Sequence, residues 1–400
     1  MHPTNIKNLF LLDPQVVYLN HGSFGATPKP VFSVYQEWQR RLEGQPVHFF
    51  IDELMVELAK ARQALASYLH AAAEDLAFIP NATHGVNLVA RSLDLEPGDE
   101  ILSTNHEYGA CNNIWEFVCQ KSGAQYVRQA IPFPIASQEQ VLDQFWQGVT
   151  ARTKIIFLSH ITSPTAVCLP VESICRRAKQ AGILTLIDGA HAPGQIPLDL
   201  ESIGADFYTG NCHKWMLAPK GSAFLYTRRE VQSMIEPLVV SWGWGADSPF
   251  DTQSKYLDNL QWSGTNDYSA YLSVPAAIRF QVDHNWEKIR EDCHRLLHRA
   301  LDRISELTGI GLAYLHNGTS FYQMAVAPLP PIADINGFKK RLYKEFHVEV
   351  PCANWEGHQF IRISVQGYNA QADIDALLNA LKTLLQTEKD PRFPRPSASN

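Results

Sequence analysis

Five short polar turns carry most of the residues able to do chemistry in this chain of 400 residues. They are Pro80-Asn81-Ala82-Thr83-His84-Gly85, Asn105-His106-Glu107-Tyr108, Ser159-His160-Ile161-Thr162-Ser163, Asp188-Gly189-Ala190-His191 and Asn211-Cys212-His213-Lys214-Trp215. The first is a turn of small residues opening a helix, where unpaired backbone N–H groups and the positive end of the helix dipole suit a phosphate. Thr83 adds a hydroxyl there. Asp188 closes an apolar run, and a carboxyl so placed could hold a protonated heteroaromatic nitrogen whose charge would keep the acid ionised. Lys214 could form an imine with an aldehyde once it loses its proton, which burial and neighbouring positive charge promote. Each feature has an ordinary reading taken singly: a helix cap, a turn aspartate, a solvated His-Lys pair, a half-buried Tyr108. Their joint order along one sheet favours a site.

The elements that must position these turns follow from the hydrophobic pattern. Between residues 75 and 227 short apolar runs alternate with longer amphipathic segments, which predicts an α/β unit with a mostly parallel, doubly wound sheet. Leu76 to Ile79, Ile101 to Thr104, Lys154 to Ser159 and Ile183 to Ile187 are its clearest strands. In such a sheet ligands lie beyond the carboxyl ends of the strands, where the polar turns fall. A helix over Asp52 to His70 places Leu54, Leu58, Ala61, Leu65 and Leu69 on one face, as core. From about Ser273 the pattern predicts a smaller α+β domain: a long helix Ala276 to Leu307, a strand Gln323 to Val326, a helix Asn336 to Phe346 and a strand Phe360 to Val365. The expected division is an N-terminal segment 1–25 packing with the small domain, a large domain 26–272, a small domain 273–388, and a loose proline-containing tail 389–400.

Composition narrows the function. A net charge of −7 without a Lys/Arg cluster argues against nucleic acid. Seven cysteines without a CxxC pair fit reduced thiols in a cytoplasm, and no metal site is expected. The amino terminus lacks a signal-peptide core, and no stretch approaches the ~20 apolar residues needed to cross a bilayer. A nicotinamide dehydrogenase is set aside, because no GxGxxG follows a strand.

From Tyr18 to about Tyr368 the chain resembles the class V aminotransferases, enzymes of fold type I that use pyridoxal 5'-phosphate (PLP). Asp188-Gly189-Ala190-His191-Ala192-Pro193-Gly194, Gly204-Ala205-Asp206-Phe207-Tyr208 and His213-Lys214-Trp215 carry the likeness. Tyr18-Leu19-Asn20-His21-Gly22-Ser23-Phe24-Gly25 resembles the isopenicillin N epimerase branch. The resemblance implies that Lys214 binds PLP covalently as a Schiff base, that Asp188 partners the pyridine nitrogen, and that Thr83, with the Ala82 and Thr83 amides, cradles the phosphate. It places Tyr108 as a stacking ring, His191 beside the cofactor ring, Ser163 near the ring hydroxyl, and Asn211 and His213 near the phosphate. Asn20, His21 and Gly22 would meet substrate, and Arg362 would clamp its carboxylate. Thr265, in Trp262-Ser263-Gly264-Thr265-Asn266, would reach the phosphate of a neighbouring subunit, which implies a homodimer.

The chemistry implied is removal of the Cα proton of an amino-acid-type substrate, with the freed Lys214 amine as base. Reprotonation on the opposite face gives epimerisation; return of the proton to the cofactor gives transamination; expulsion of sulfur gives C–S lyase or desulfurase chemistry. A second acid for epimerisation could be His21, Tyr108 or His213. Cys352 is the candidate thiol for a desulfurase and otherwise a small apolar filler. A non-catalytic PLP-binding module is the remaining alternative, and Lys214, Asp188 and Arg362 together argue against it.

Overall fold

The computed structural model of the protein describes residues 6–135, 137–245, 252, 254–314 and 320–389. Beyond residue 389 the expected tail lies outside the described residues. The centre is a seven-stranded sheet formed by β2 (Leu76–Ile79), β3 (Glu100–Thr104), β4 (Gln125–Gln129), β5 (Thr153–Ser159), β6 (Leu184–Gly189), β7 (Phe207–Asn211) and β8 (Ala223–Thr227), after a two-residue β1 (Val17–Tyr18). Its order is β2-β8-β7-β6-β5-β3-β4, and β8 alone runs antiparallel to its neighbours. The inner strands read as continuous apolar runs because both faces are covered; β6, β7 and β8 are buried almost throughout.

Helices Ala82–Ser92 and Gly109–Ser122 follow β2 and β3, and Asn81 caps the first by accepting from the His84 amide at 2.9 Å. The helix expected over Asp52 to His70 runs from Leu54 to Leu69, entered through a wider turn at Phe49–Glu53 and ended by His70 in the left-handed region.

The single helix expected from Ala276 to Leu307 is two helices. Val274–Asp283 and Trp286–Thr308 are separated at Asn285, whose φ of 48° cannot continue a right-handed helix. Asparagine tolerates that conformation better than most residues, a break that hydrophobic periodicity does not register. Val274–Asp283 packs against helices Lys29–Gly44 and Leu54–Leu69, beside the large sheet. The C-terminal part then forms a three-stranded antiparallel sheet, β11-β12-β9, from β9 (Met324–Pro328), β11 (Cys352–Trp355) and β12 (His358–Ser364), with helices Ile335–Phe346 and Gln371–Lys389. A short β10 (Val348–Glu349) pairs in parallel with β1. None of the described helices is long and apolar enough to cross a membrane, and all seven cysteines are unpaired.

Candidate active site

The turns after β2, β3, β5, β6 and β7 converge on one cavity of about 550 Å³. Ala82, Thr83, Tyr108, Ser163, Asp188, His191, Asn211, His213 and Lys214 all line it, joined by Ser23, Phe24 and Ser159. Sheet order explains the arrangement. Asp188 ends β6, Asn211 ends the adjacent β7 just before Lys214, and Ser159 ends β5 on the other side, in register with Asp188.

Lys214 is half-buried, and desolvation, offset by Asp188, brings its amine down to about 8. Its Nζ lies 3.3 Å from His191 Nε2, while the Trp215 indole N–H points to His191 Nδ1 at 3.4 Å. An indole can only donate, so Nδ1 is the acceptor and the imidazole proton sits on Nε2, facing the lysine nitrogen. Burial and the lysine charge push the His191 pKa well down, which keeps the ring neutral. A neutral imidazole N–H beside an amine with lowered pKa supports the amine's unprotonated form. Asp188 is buried and its pKa is raised by desolvation; its Oδ1 accepts from the Ala190 amide at 2.9 Å and Cys111 Sγ lies 3.6 Å from its Oδ2.

Arg362, on β12, reaches the cavity wall from the C-terminal part through Ser163 and Ser23 and does not itself line the cavity. Its Nη1 donates to the Ser163 carbonyl at 2.5 Å and to Ser163 Oγ at 3.1 Å, and its Nη2 to Ser23 Oγ at 3.2 Å. Its Nε is buried without a partner. Desolvation lowers the guanidinium to about 10, so it keeps its charge at neutral pH.

The structure alters several expectations. Asn20, His21 and Gly22 do not line the cavity. His21 is fully buried, with Nδ1 2.9 Å from Tyr368 Oη and Nε2 3.1 Å from the Lys214 carbonyl oxygen; burial takes it down to about 3, which removes it as a second acid. Asn20 binds Glu349 at 3.4 Å and accepts from Ser23 Oγ at 2.5 Å. A Cβ on Gly22 would lie 2.6 Å from Met324 Sδ and 2.9 Å from Ser364 Oγ, so the glycine permits close packing. Segment 20–22 thus supports the floor under Lys214, and Ser23 with Phe24 reaches the cavity in its place.

The Ala82 amide is taken by Asn211 Oδ1 at 2.9 Å, leaving Thr83 as the exposed donor at that helix start. Asn211 thereby pins the helix instead of offering its own side chain. Ser163 is bound to Arg362 and acts on the clamp. His213 lines the cavity with Nδ1 held by the Ser222 carbonyl at 3.0 Å and a pKa brought by burial to about 4. Thr265 is exposed and does not line this chain's own cavity. The Cys352 thiol, at the start of β11, is pushed by burial to about 12, the wrong direction for a nucleophile.

These residues fit PLP on the structure's own terms. A buried Asp188 awaits a cationic partner, an amine with lowered pKa stands beside it, and an orphaned guanidinium N–H marks the side where a substrate anion would complete the hydrogen bonding. The chain is a PLP-dependent enzyme: the family profile described as aminotransferase class V matches residues 17–377, and the chain belongs to that family. It is 35% identical over 391 residues to isopenicillin N epimerase from Amycolatopsis lactamdurans, covering 95% of this chain and 98% of that protein. An L-cysteine desulfhydrase from Arabidopsis thaliana is 26% identical over 412 residues, covering 93% and 88%. The crystal structure of a cysteine desulfurase from Escherichia coli shares the fold with a TM-score of 0.81, over 97% of this chain and 99% of that one, at 22% identity.

Proposed function

We propose that this protein moves the Cα proton of an amino-acid-type substrate, with epimerisation as its principal outcome. The observation that carries the reading is the Lys214 amine, its pKa lowered to about 8, facing the His191 Nε2 proton in a cavity that also holds Asp188 and whose wall residues Ser163 and Ser23 are bonded to Arg362. PLP, when bound, supplies a carbonyl for the amine and an electron-withdrawing ring that acidifies the Cα–H bond. Lys214 would bind it covalently, and its freed nitrogen would then take the Cα proton. Asp188, deprotonated on meeting the ring nitrogen, would hold that nitrogen cationic. Thr83, at the open start of helix Ala82–Ser92, would hold the phosphate, and Tyr108 would cover the ring. Arg362 would turn its free Nε and one terminal N–H toward the substrate carboxylate, a geometry that a planar guanidinium satisfies and an ammonium does not.

With His21 held in the floor, and His213 kept neutral by burial with its Nδ1 proton given to the Ser222 carbonyl, Tyr108 is the cavity residue left to return a proton from the other side. Thr265, exposed and away from its own cavity, would serve the phosphate of a second copy in a homodimer acting in the cytoplasm. Val274–Asp283 packs on helices Lys29–Gly44 and Leu54–Leu69, so we place the boundary between large and small domains at Asn285.

The similarity to a cysteine desulfhydrase favours C–S cleavage as the second reading. There Cα deprotonation by Lys214 is followed by loss of sulfide from Cβ, without a persulfide on Cys352, whose thiol is raised to about 12. The test is incubation of the holoenzyme with L- and D-amino acids and cysteine derivatives in D₂O. Chiral chromatography, Cα deuterium content and a sulfide assay are read together. Mirror-image product carrying Cα deuterium without sulfide supports epimerisation; sulfide and a keto acid assign the protein to C–S cleavage; no Cα deuterium, sulfide or keto acid from any substrate rejects both.

A further inference from the structure

One buried titratable side chain at this site has no part in the mechanism above. Glu107 lies in the turn after β3, adjacent to Tyr108, and is almost completely inaccessible at 4% exposure. Its carboxyl is built into place. Oε1 accepts from Thr104 Oγ1 at 2.6 Å, and Oε2 accepts from the Ser159 amide at 2.8 Å and Ser159 Oγ at 2.6 Å. Ser159 is the residue of β5 that pairs in register with Asp188 on β6. The Glu107 carboxyl is therefore anchored on the strand next to β6, at the strand ends under the cavity, near enough to Asp188 for that acid's charge to push its pKa up. The other ionisable groups facing Glu107 are Tyr126 on β4 and Cys111 on helix Gly109–Ser122, and burial pushes both up, so they stay neutral. Among the described residues the cation acting on this pair is Lys214, which acts on Asp188 from the cavity side.

Burying a carboxyl this completely is costly without a reason, and a hydroxyl-bearing or apolar side chain would fill the place at less expense. Desolvation, opposed by the Ser159 and Thr104 hydrogen bonds and reinforced by Asp188, brings Glu107 to about 7. Two acids this close in a dry setting do not both ionise freely. A cation arriving on Asp188 changes that balance, because it stabilises negative charge on both.

We propose that Glu107 is a positioning residue of this site, a second buried carboxyl, fixed by Thr104 and Ser159 one strand from Asp188, that makes the floor more negative and so favours a cationic ring nitrogen on Asp188. The inference rests on the assignment of Asp188 to that nitrogen. Glu107 touches neither cofactor nor substrate; it acts through Asp188. Three donors aimed at its oxygens hold it ready to ionise when the cation arrives, and Tyr108 follows it in the chain, so the same turn that sets the charge also sets the aromatic wall.

The test uses holoenzyme loaded with PLP carrying ¹⁵N at the ring nitrogen, with the nitrogen shift followed against pH. In Glu107→Gln the amide oxygen can keep the Ser159 contacts while the NH₂ group donates to Thr104 Oγ1, so shape is preserved and charge is lost. The ring nitrogen of this variant is expected to lose its proton at least about one pH unit lower than in the wild type, and PLP to dissociate about tenfold more readily. Glu107→Asp, which keeps the charge, should return the midpoint toward the wild-type value. Thr104→Val removes one hydrogen bond that favours the ionised carboxyl and should shift the midpoint in the same direction by less; it decides the question if Glu107→Gln does not fold. A wild-type nitrogen that is protonated at neutral pH with unchanged midpoints in Glu107→Gln, or in Thr104→Val where the former cannot be made, overturns the role of Glu107 and leaves Asp188 standing. A wild-type nitrogen that is unprotonated at neutral pH overturns both.

Discussion

Two polar stretches of this chain look alike as sequence and behave oppositely as structure. The turns after β3, β5, β6 and β7 project their side chains into the cavity, whereas Asn20-His21-Gly22 is drawn underneath it. The difference is one of backbone setting. A residue just beyond the carboxyl end of a parallel strand has left the ladder and faces the crevice. Asn20 to Gly22 instead belongs to a strap held on both sides: Asn20 bridges to Ser364, Leu19 pairs with Glu349, and His21 touches Tyr368. His21 has both ring nitrogens on scaffold atoms, the Tyr368 hydroxyl and the Lys214 carbonyl, whereas His191 turns one of its two toward the lysine amine.

Replacement of Lys214 by alanine should separate the two regions most sharply. The visible absorbance band of the holoenzyme should disappear and Cα exchange should stop, with the fold intact by circular dichroism; a band that survives would refute the assignment of Lys214. Next is Arg362→Ala, expected to weaken carboxylate substrates by about 2–5 kcal/mol, as for other truncated partners of a buried charge pair. Substrate titration of the absorbance band measures it, and an affinity equal to the wild type counts against the clamp.

Gly22→Ala tests the strap. The close Met324 and Ser364 contacts predict about 1–3 kcal/mol of destabilisation from overpacking, read by denaturant unfolding, with substrate affinity changed much less than in Arg362→Ala. If affinity falls further than stability, segment 20–22 belongs with the site after all. A further difference is expected in pH dependence. His21 has a folded pKa near 3 against an ordinary 6.5. The unfolded chain therefore takes up its proton first as pH falls, and the stability this residue supports is present above about 6.5 and lost toward 3. His21→Gln should flatten part of that decline in unfolding experiments between those limits; an identical slope would show that another group dominates.

Much of the fold was legible because it rests on long apolar runs. The strands at Leu76, Ile101, Lys154 and Ile183 lie within a residue or two of where periodicity places them. The break at Asn285 was not, since a single left-handed residue leaves the hydrophobic stripe intact. Within the site, position after a strand was a sound guide to Asp188, His191 and Lys214. Glu107, Ser159 and Ser23 were passed over because each sits beside a more reactive neighbour. Glu107 stood in the turn after β3, three residues past the expected end of its strand at Thr104. The Asn211 contact with the Ala82 amide joins residues 129 apart and leaves no local trace.

The pairing of β1 with β10 joins residues 17–18 to 348–349. On a ribosome adding about 5–20 residues per second, the first strand waits on the order of tens of seconds for its partner to be made. The large sheet has its strands complete by Thr227 and can condense while the strap is still idle. Arg362 is made and the waiting strap is seated together late in synthesis, closing a loop of about 330 residues in one step. A truncated or stalled chain would thus carry the lysine and the aspartate without the arginine or the seated strap, and quality control in the cell would meet a half-built catalyst whose reactive amine lies uncovered.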